Sequence, residues 1–298
     1  MPEDSISPAP AHEWRASQMG FISQCPGRWK STRDLADKPG AAALRGTRIH
    51  AALAAHIALA HEPDDLREGD AETYESCVRY ATPLCESAEE IHAECRLSLT
   101  QQIGGTADVV FVRKEDIVVV DWKCGRGDLH EEAVRFQLSI YIAAALERFQ
   151  RPRGKGIAYQ PGTGVEISIE LCLDDVESVR EACQLVIAAA TSDEMVLRPT
   201  ADGCRYCPAR DHCPAAAATI SDLSAAPAAT LALWDHLPPE KKATLIEKAK
   251  VVELLAKEIY SRARADLSHD ALAIPGWRAR ARTTHALVRE IGDVTDDR

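Results

Sequence analysis

Two runs of β-branched residues, Val109 to Val112 and Ile117 to Val120, flank the polar tetrapeptide Arg113, Lys114, Glu115, Asp116. Apolar run, polar turn, apolar run predicts a β-hairpin. Whether the loop holds two or four residues, symmetric pairing sets Val112 opposite Ile117 and, counting outward, Asp108 opposite Asp121. Side chains alternate along a strand, so Lys123 shares the Asp121 face while Trp122 points the other way. Gly40 to Ala60, rich in Ala and Leu, reads as a helix. The acidic stretch from Glu62 reads as a loop followed by a helix, Tyr74 to Ile91, and Glu94 to Thr100 alternates as a strand. His130 to Gln150 reads as a helix whose first turn carries Glu131 and Glu132, where the macrodipole favours acids. Gly154 to Gln160 and Val165 to Leu171 read as strands joined by a Pro-Gly-Thr-Gly turn, with a helix from Asp174 to Ala190 behind them.

At the ends the pattern weakens. Residues 1 to about 15 read as loose. Ala215 to about Thr230, containing Ala, Ser and Pro, reads as a linker reaching residue 237. Glu240 to Leu267 is a long helical stretch, and the segment from Ile274 to Ile291 reads as a short strand pair or a basic tail. The class is therefore α/β: a small mixed sheet flanked by helices, with a C-terminal helical extension. The expected division is 1–214, a linker 215–237, and 238–298.

Directly opposed residues in a sheet have Cβ atoms roughly 4.5 to 5.5 Å apart, and like charges placed so repel. Asp108 and Asp121 therefore call for a cation. Mg²⁺ or Mn²⁺, hard and oxygen-seeking, suits two carboxylates and leaves coordination positions open for water and a phosphate oxygen. Lys123 is then placed to orient the attacking water or to offset charge on the phosphate. The alternative is a solvated hairpin end with both acids facing water.

Asp108, the triplet Asp121-Trp122-Lys123, and Gln137 with Tyr141 on the following helix resemble the PD-(D/E)XK nucleases, in particular the RecB-like branch with its QxxxY motif. The resemblance runs from about Cys25 to Cys213. It implies a restriction-endonuclease-like core and a metal held by Asp108, Asp121, the Trp122 backbone carbonyl and His50, which lies in Gly-Thr-Arg-Ile-His inside the first long helix. It also implies that Gln137 and Tyr141 contact DNA or hold the hairpin. Many relatives carry an acid one turn after the His, where Ala54 stands here, a departure that weakens the case for a second tightly held metal. Glu94 reads as a strand-edge surface charge in preference to an extra carboxylate.

A net charge of −11 argues at first against a nucleic-acid partner. Its distribution changes that picture: His61 to Glu94 holds eleven acids and two bases, a net of −9, leaving −2 for the rest. Bases cluster at Arg28, Lys30, Arg33, Arg45 and Arg48, at Arg148, Arg151, Arg153 and Lys155, and at Arg278, Arg280 and Arg282. They can track a phosphate backbone or simply solvate the surface. No apolar run reaches the ~18 residues of a membrane span, and no charged-then-apolar start is seen, so a cytoplasmic place is expected. No P-loop or GxGxxG is found, so any helicase, like any single-strand annealing protein, would be a separate partner.

Ten cysteines without a secretory signal are not a disulfide framework. Cys77, Cys85, Cys95, Cys124, Cys172 and Cys183 sit singly in regular segments and read as small buried hydrophobes. Cys204, Cys207 and Cys213 form C-x2-C-x5-C, and Cys25 shares with Cys207 and Cys213 a following Pro, which marks it as the fourth member. Four thiolates suit a tetrahedral Zn²⁺ or a [4Fe–4S] cluster. The arrangement is similar to the iron–sulfur nucleases of the AddB type and the CRISPR-adaptation exonucleases, which points to the cluster, with zinc the alternative. The expected activity is metal-dependent exonucleolytic hydrolysis of DNA, single-stranded or as end-containing duplex, in recombination, repair or end processing, from a phage or prophage. The alternative is a catalytically silent, metal-stapled DNA-binding or partner-docking protein.

Overall fold

A computed structural model of the chain describes residues 12–35, 40–59, 66–67, 69–125, 127–224, 234–270, 273–280 and 286–289. The chain divides into two compact units, Met1–Arg198 and Pro199–Arg298.

The first unit is built on a six-stranded mixed sheet. Its centre is the expected hairpin, β3 (Ile103–Val112) and β4 (Asp116–Trp122), with β2 (Glu90–Ser98) antiparallel on β3. Next to β4 lies β5 (Arg153–Gln160), in parallel, followed by antiparallel β6 (Val165–Cys172). The two-residue β1 (Trp14–Arg15) pairs in parallel with the start of β3. Trp14 is buried and stacks near Trp29, so the expectation of a loose start fails there: an indole in the core pins the chain.

The hydrophobic period of the strands decides which helix covers which face. Val110, Val112, Ile117 and Val119 join a core with α1 (Ala16–Gln24), α5 (Glu131–Phe149) and α6 (Val176–Thr191). Val109, Phe111, Val118, Val120 and Trp122 meet α3 (Ala41–Leu59) and α4 (Ala71–Ser87) on the other face. A short α2 (Gly27–Thr32) follows α1. The helix expected to run to Ile91 stops at Ser87, because Glu90 and Ile91 already pair with Val112 and Phe111. Tertiary pairing has overridden local propensity there.

Helix α5 is buried on nearly every side, from Ala133 to Leu146. It can lie that close because small residues face it: a Cβ on Gly20 of α1 would fall 2.4 Å from the Ala133 Cα. His130 caps its start by accepting the Ala133 N–H, and Gln150 closes its end in the left-handed conformation at φ 52°.

In the second unit α7 (Ala201–Arg205) and α8 (Pro214–Ser224) precede a long α9 (Pro239–His269), and β7 (Trp277–Arg280) pairs antiparallel with β8 (Ala286–Arg289). The segment read as a linker from Ala215 thus begins as helix, since Pro at its first position and the Ala run both favour one. Arg282 lies outside the described residues, as do the side chains of Arg278 and Arg280.

Candidate active site

The site forms where the two central strands part. β3 and β4 pair only from Val112↔Ile117 to Val109↔Val120, and one further step in that register sets Asp108 across from Asp121. Side chains take over from the ladder at this point. The Trp122 amide donates to Asp108 Oδ2 at 2.6 Å, and the Tyr141 hydroxyl donates to the Thr106 carbonyl at 2.9 Å. Gln137, one helical turn before Tyr141, donates from Nε2 to Asp121 Oδ1 at 2.7 Å and accepts from Lys123 Nζ at 3.0 Å. Both Gln137 and Tyr141 are buried, so each polar group needs the partner it has found. The Lys123 ammonium stands 2.6 Å from Asp121 Oδ2, an oxygen that has no hydrogen bond besides that ion pair.

From the other face α3 supplies His50, whose Nδ1 lies 2.9 Å from Asp108 Oδ1. Burial alone would lower its pKa, but hydrogen bonds and charge from Asp108 and Cys124 outweigh burial and raise it to about 11. The imidazole is therefore charged at neutral pH and must lose its proton to serve as a ligand. Burial holds the Asp121 carboxyl above the ordinary carboxylate range, with Lys123 pulling it down and Asp108 pushing it up.

Glu94 belongs to the same row. The β2–β3 pairs Ala93↔Val109 and Cys95↔Ala107 bracket it, setting it opposite Asp108. Its pKa is raised, first by partial burial and then by the Asp108 charge, with His50 acting in the opposite sense. Its backbone sits at φ 47°, a conformation that costs a non-glycine residue roughly 1–3 kcal/mol and gathers at functional sites. Glu94 is exposed, as a strand-edge surface charge should be, and it also feels the charges of Asp108 and His50. That placement comes from the β2–β3 register, which residue type alone does not give. Cys124 and Cys77 also meet behind His50: the Cys77 thiol hydrogen bond and the His50 contacts, against opposing burial, bring Cys124 down to about 6, and Cys77 is pushed up.

The donor chemistry of Glu94, Asp108, Asp121 and His50 fits a hard divalent ion, and the Asp121 oxygen held only by an ion pair is an atom such an ion would satisfy. In the arrangement described, His50 and Lys123 supply the positive charge instead. Among the described residues no three His, Cys, Asp or Glu side chains are grouped so as to hold a metal ion.

Cys204, Cys207 and Cys213 lie on successive turns, with Cys207 N donating to the Cys204 carbonyl, Arg210 N to that of Cys207, and Cys213 N to that of Arg210. In the other unit Cys25 Sγ accepts the Arg198 amide at 3.3 Å. Of the singly placed cysteines, Cys77, Cys95, Cys124 and Cys183 are buried, Cys85 is half-buried, and Cys172 is exposed against expectation, because it ends an outer strand.

The basic clusters are largely engaged within the protein. Arg45 and Arg48 both bind buried Asp70, at 2.8 and 3.2 Å. Arg151, Arg153 and Lys155 pair with Glu89, Glu115 and Glu166. Arg153 and Lys155 also line a cleft of about 510 Å³ with Arg113, Asp116 and Glu170, at the opposite end of β4 from Asp121. None of the candidate site residues lines it. No described helix is long and apolar enough to cross a membrane.

Among solved structures the chain is similar to SSO0001, at 19% identity and TM-score 0.39 over 72% of this chain and 91% of that one. It is also similar to the alkaline exonuclease LHK-Exo from Laribacter hongkongensis, at 14% and TM-score 0.30 over 60% and 87%. A phage-related exonuclease from Haemophilus somnus 129PT shows 11% and TM-score 0.29 over 60% and 92%. No curated protein matches significantly. The PD-(D/E)XK nuclease superfamily profile matches residues 14–214, the stretch that holds His50, Glu94, Asp108, Asp121, Lys123, Gln137 and Tyr141, and the chain belongs to that superfamily.

Proposed function

We propose that this chain is a divalent-metal-dependent deoxyribonuclease that degrades DNA from a free end. The observation that carries the reading is the row of Glu94, Asp108 and Asp121 across three neighbouring strands, with Lys123 and His50 bound to it. Carboxylates set side by side repel one another, which favours a cation among them. Asp108, Asp121, Glu94, His50 and the Trp122 carbonyl are the groups to hold Mg²⁺ or Mn²⁺. Such an ion, when bound, polarises a phosphate oxygen and stabilises the charge that develops on it. Asp121 is kept in place by Gln137, and Gln137 also steadies the Lys123 ammonium beside it. Lys123 is then positioned to orient a water molecule. In the hydrolysis a new P–O bond forms from that water, which gives up a proton to solvent, and the P–O bond to the leaving sugar oxygen breaks, that oxygen taking up a proton from solvent to leave as a hydroxyl.

We also propose that Cys25, Cys204, Cys207 and Cys213 hold a [4Fe–4S] cluster, with zinc the alternative. Support comes from the donor chemistry, the successive turns that carry three of the thiols, and the N–H donor at Cys25, since such hydrogen bonds tune cluster sulfurs. A separate helicase or annealing protein would supply single strands.

The test is incubation of anaerobically purified protein with linear and covalently closed circular DNA, single- and double-stranded, with Mg²⁺ or Mn²⁺. Linear DNA is expected to disappear while closed circles survive. Efficient nicking of closed circular duplex would overturn the end requirement, and no cleavage of any substrate would favour a silent DNA-binding module.

A further inference from the structure

Past Trp122 the chain leaves the sheet. Lys123 keeps one tie, its amide donating to the Tyr159 carbonyl at 2.8 Å, and α5 begins only at Glu131. The segment between contains Gly125 and Gly127, which have more backbone freedom to lose than any other residue type. Both its ends matter to the site: one carries Lys123, the other leads to Gln137, and the two side chains meet at 3.0 Å.

Two side chains from outside hold this segment by its carbonyls. Arg45 of α3 donates from Nη1 to the Cys124 carbonyl at 3.1 Å. Gln160, the last residue of β5 and 2% exposed, donates from Nε2 to both the Gly125 and Gly127 carbonyls, each at 2.8 Å. The Gln160 amide cannot flip freely, because its Oε1 accepts the Thr163 hydroxyl at 2.7 Å. That hydroxyl belongs to the β5–β6 turn, which Gly164 closes at φ 69°. A buried glutamine that spends both donor hydrogens on one glycine-containing segment has a narrower task than filling a core.

Resting on the nuclease reading above, we infer that Gln160 is a positioning residue for Lys123: it fixes the segment after β4 so that the ammonium stays between Asp121 and Gln137. It touches neither substrate nor the carboxylates. Its loss therefore acts on the reacting geometry rather than on DNA binding, and misplacements of about 1 Å cost about 10²-fold in rate.

The experiment compares the full-length wild type with Gln160→Leu, Gln160→Glu and Thr163→Val, measuring kcat and KM on linear DNA and hydrogen exchange of the metal-free proteins. Gln160→Leu is expected to lower kcat about 10- to 100-fold with KM changed less than about threefold. Gln160→Glu keeps the volume but turns an acceptor towards two carbonyls, and is expected to fall as far. Thr163→Val, which frees the amide to rotate, is expected to fall less. Exchange should quicken at residues 124–125 and 127–130 and stay unchanged through α5 and the sheet. Wild-type kcat in Gln160→Leu or Gln160→Glu, a loss confined to KM, or exchange quickened throughout the sheet would overturn the inference. If Gln160→Leu does not fold, the other two variants decide. A wild type that cleaves no DNA strikes the nuclease reading, while the local exchange pattern still accepts or rejects the hold on the segment.

Discussion

Replacing Lys123 by Met leaves Asp121 buried with its neutralising partner gone. In the metal-free protein Asp121 then keeps only the Gln137 hydrogen bond, and it faces Asp108 and, one strand further, Glu94. Breaking a buried ion pair from one side costs about 3–5 kcal/mol. The Lys123 side chain retains 24% exposure against 9% for Asp121, so screening brings the expected loss to about 2–3 kcal/mol. For a unit of this size that lowers Tm by about 5–10 °C. The sign of the pH dependence follows from Asp121, whose folded pKa is raised above its unfolded value by burial. Such a carboxylate costs nothing while protonated in both states, and its penalty accumulates as pH rises from the ordinary carboxylate range through the raised folded pKa. The Lys123→Met deficit should accordingly shrink as pH is lowered towards about 4. Denaturant unfolding in EDTA, across pH, for Lys123→Met, Asp121→Asn and the double variant measures the coupling directly. The double variant should recover at least about 1 kcal/mol, beyond the roughly 0.5 kcal/mol within which independent sites add. Strict additivity, or a deficit that grows on acidification, would refute the reasoning.

Glu94→Gly should raise stability by about 1 kcal/mol by relieving the positive φ, yet weaken Mn²⁺ binding and cleavage, as read by thermal melting with calorimetric titration; full activity would remove Glu94 from the metal-holding set. Cleavage by the wild type should fall on acidification at a higher pH than an ordinary carboxylate would dictate, because a protonated Asp121 holds no cation; a pH–rate profile checks this. Anaerobically purified protein should be brown, absorbing near ~400 nm with iron and sulfide in equal amounts. Changing Cys25, Cys204, Cys207 or Cys213 to Ala should bleach it and Cys77→Ala should not, whereas colourless zinc-loaded protein would replace the cluster with zinc.

The central hairpin was legible because period-two alternation and a short polar turn leave one register, and that register puts Asp108 across from Asp121. The α/β class followed from helix and strand periods of ordinary length. What stayed hidden depends on partners distant in sequence. Nothing local distinguishes Arg45, bound to Asp70 and to the Cys124 carbonyl, from a base that tracks phosphate. The place of Glu94 opposite Asp108 depends on the β2–β3 pairing, and its positive φ has no signature in residue type. Trp14 and Arg15 form too short a strand for any alternation, and only the parallel pairing with Ile103 and Gly104 creates it. Gln160 is a lone glutamine at a strand end until the fold brings the Gly125 and Gly127 carbonyls to it.

Release of acid-soluble nucleotide from linear DNA by the wild type and by equally folded Asp108→Ala and Asp121→Ala variants bears most directly on the assignment. Cleavage should require Mg²⁺ or Mn²⁺, stop in EDTA, and fall at least about 10²- to 10³-fold in each variant while DNA binding stays measurable. Undiminished cleavage by either variant, or wild-type cleavage that persists in EDTA, would contradict a metal-dependent nuclease centred on these carboxylates.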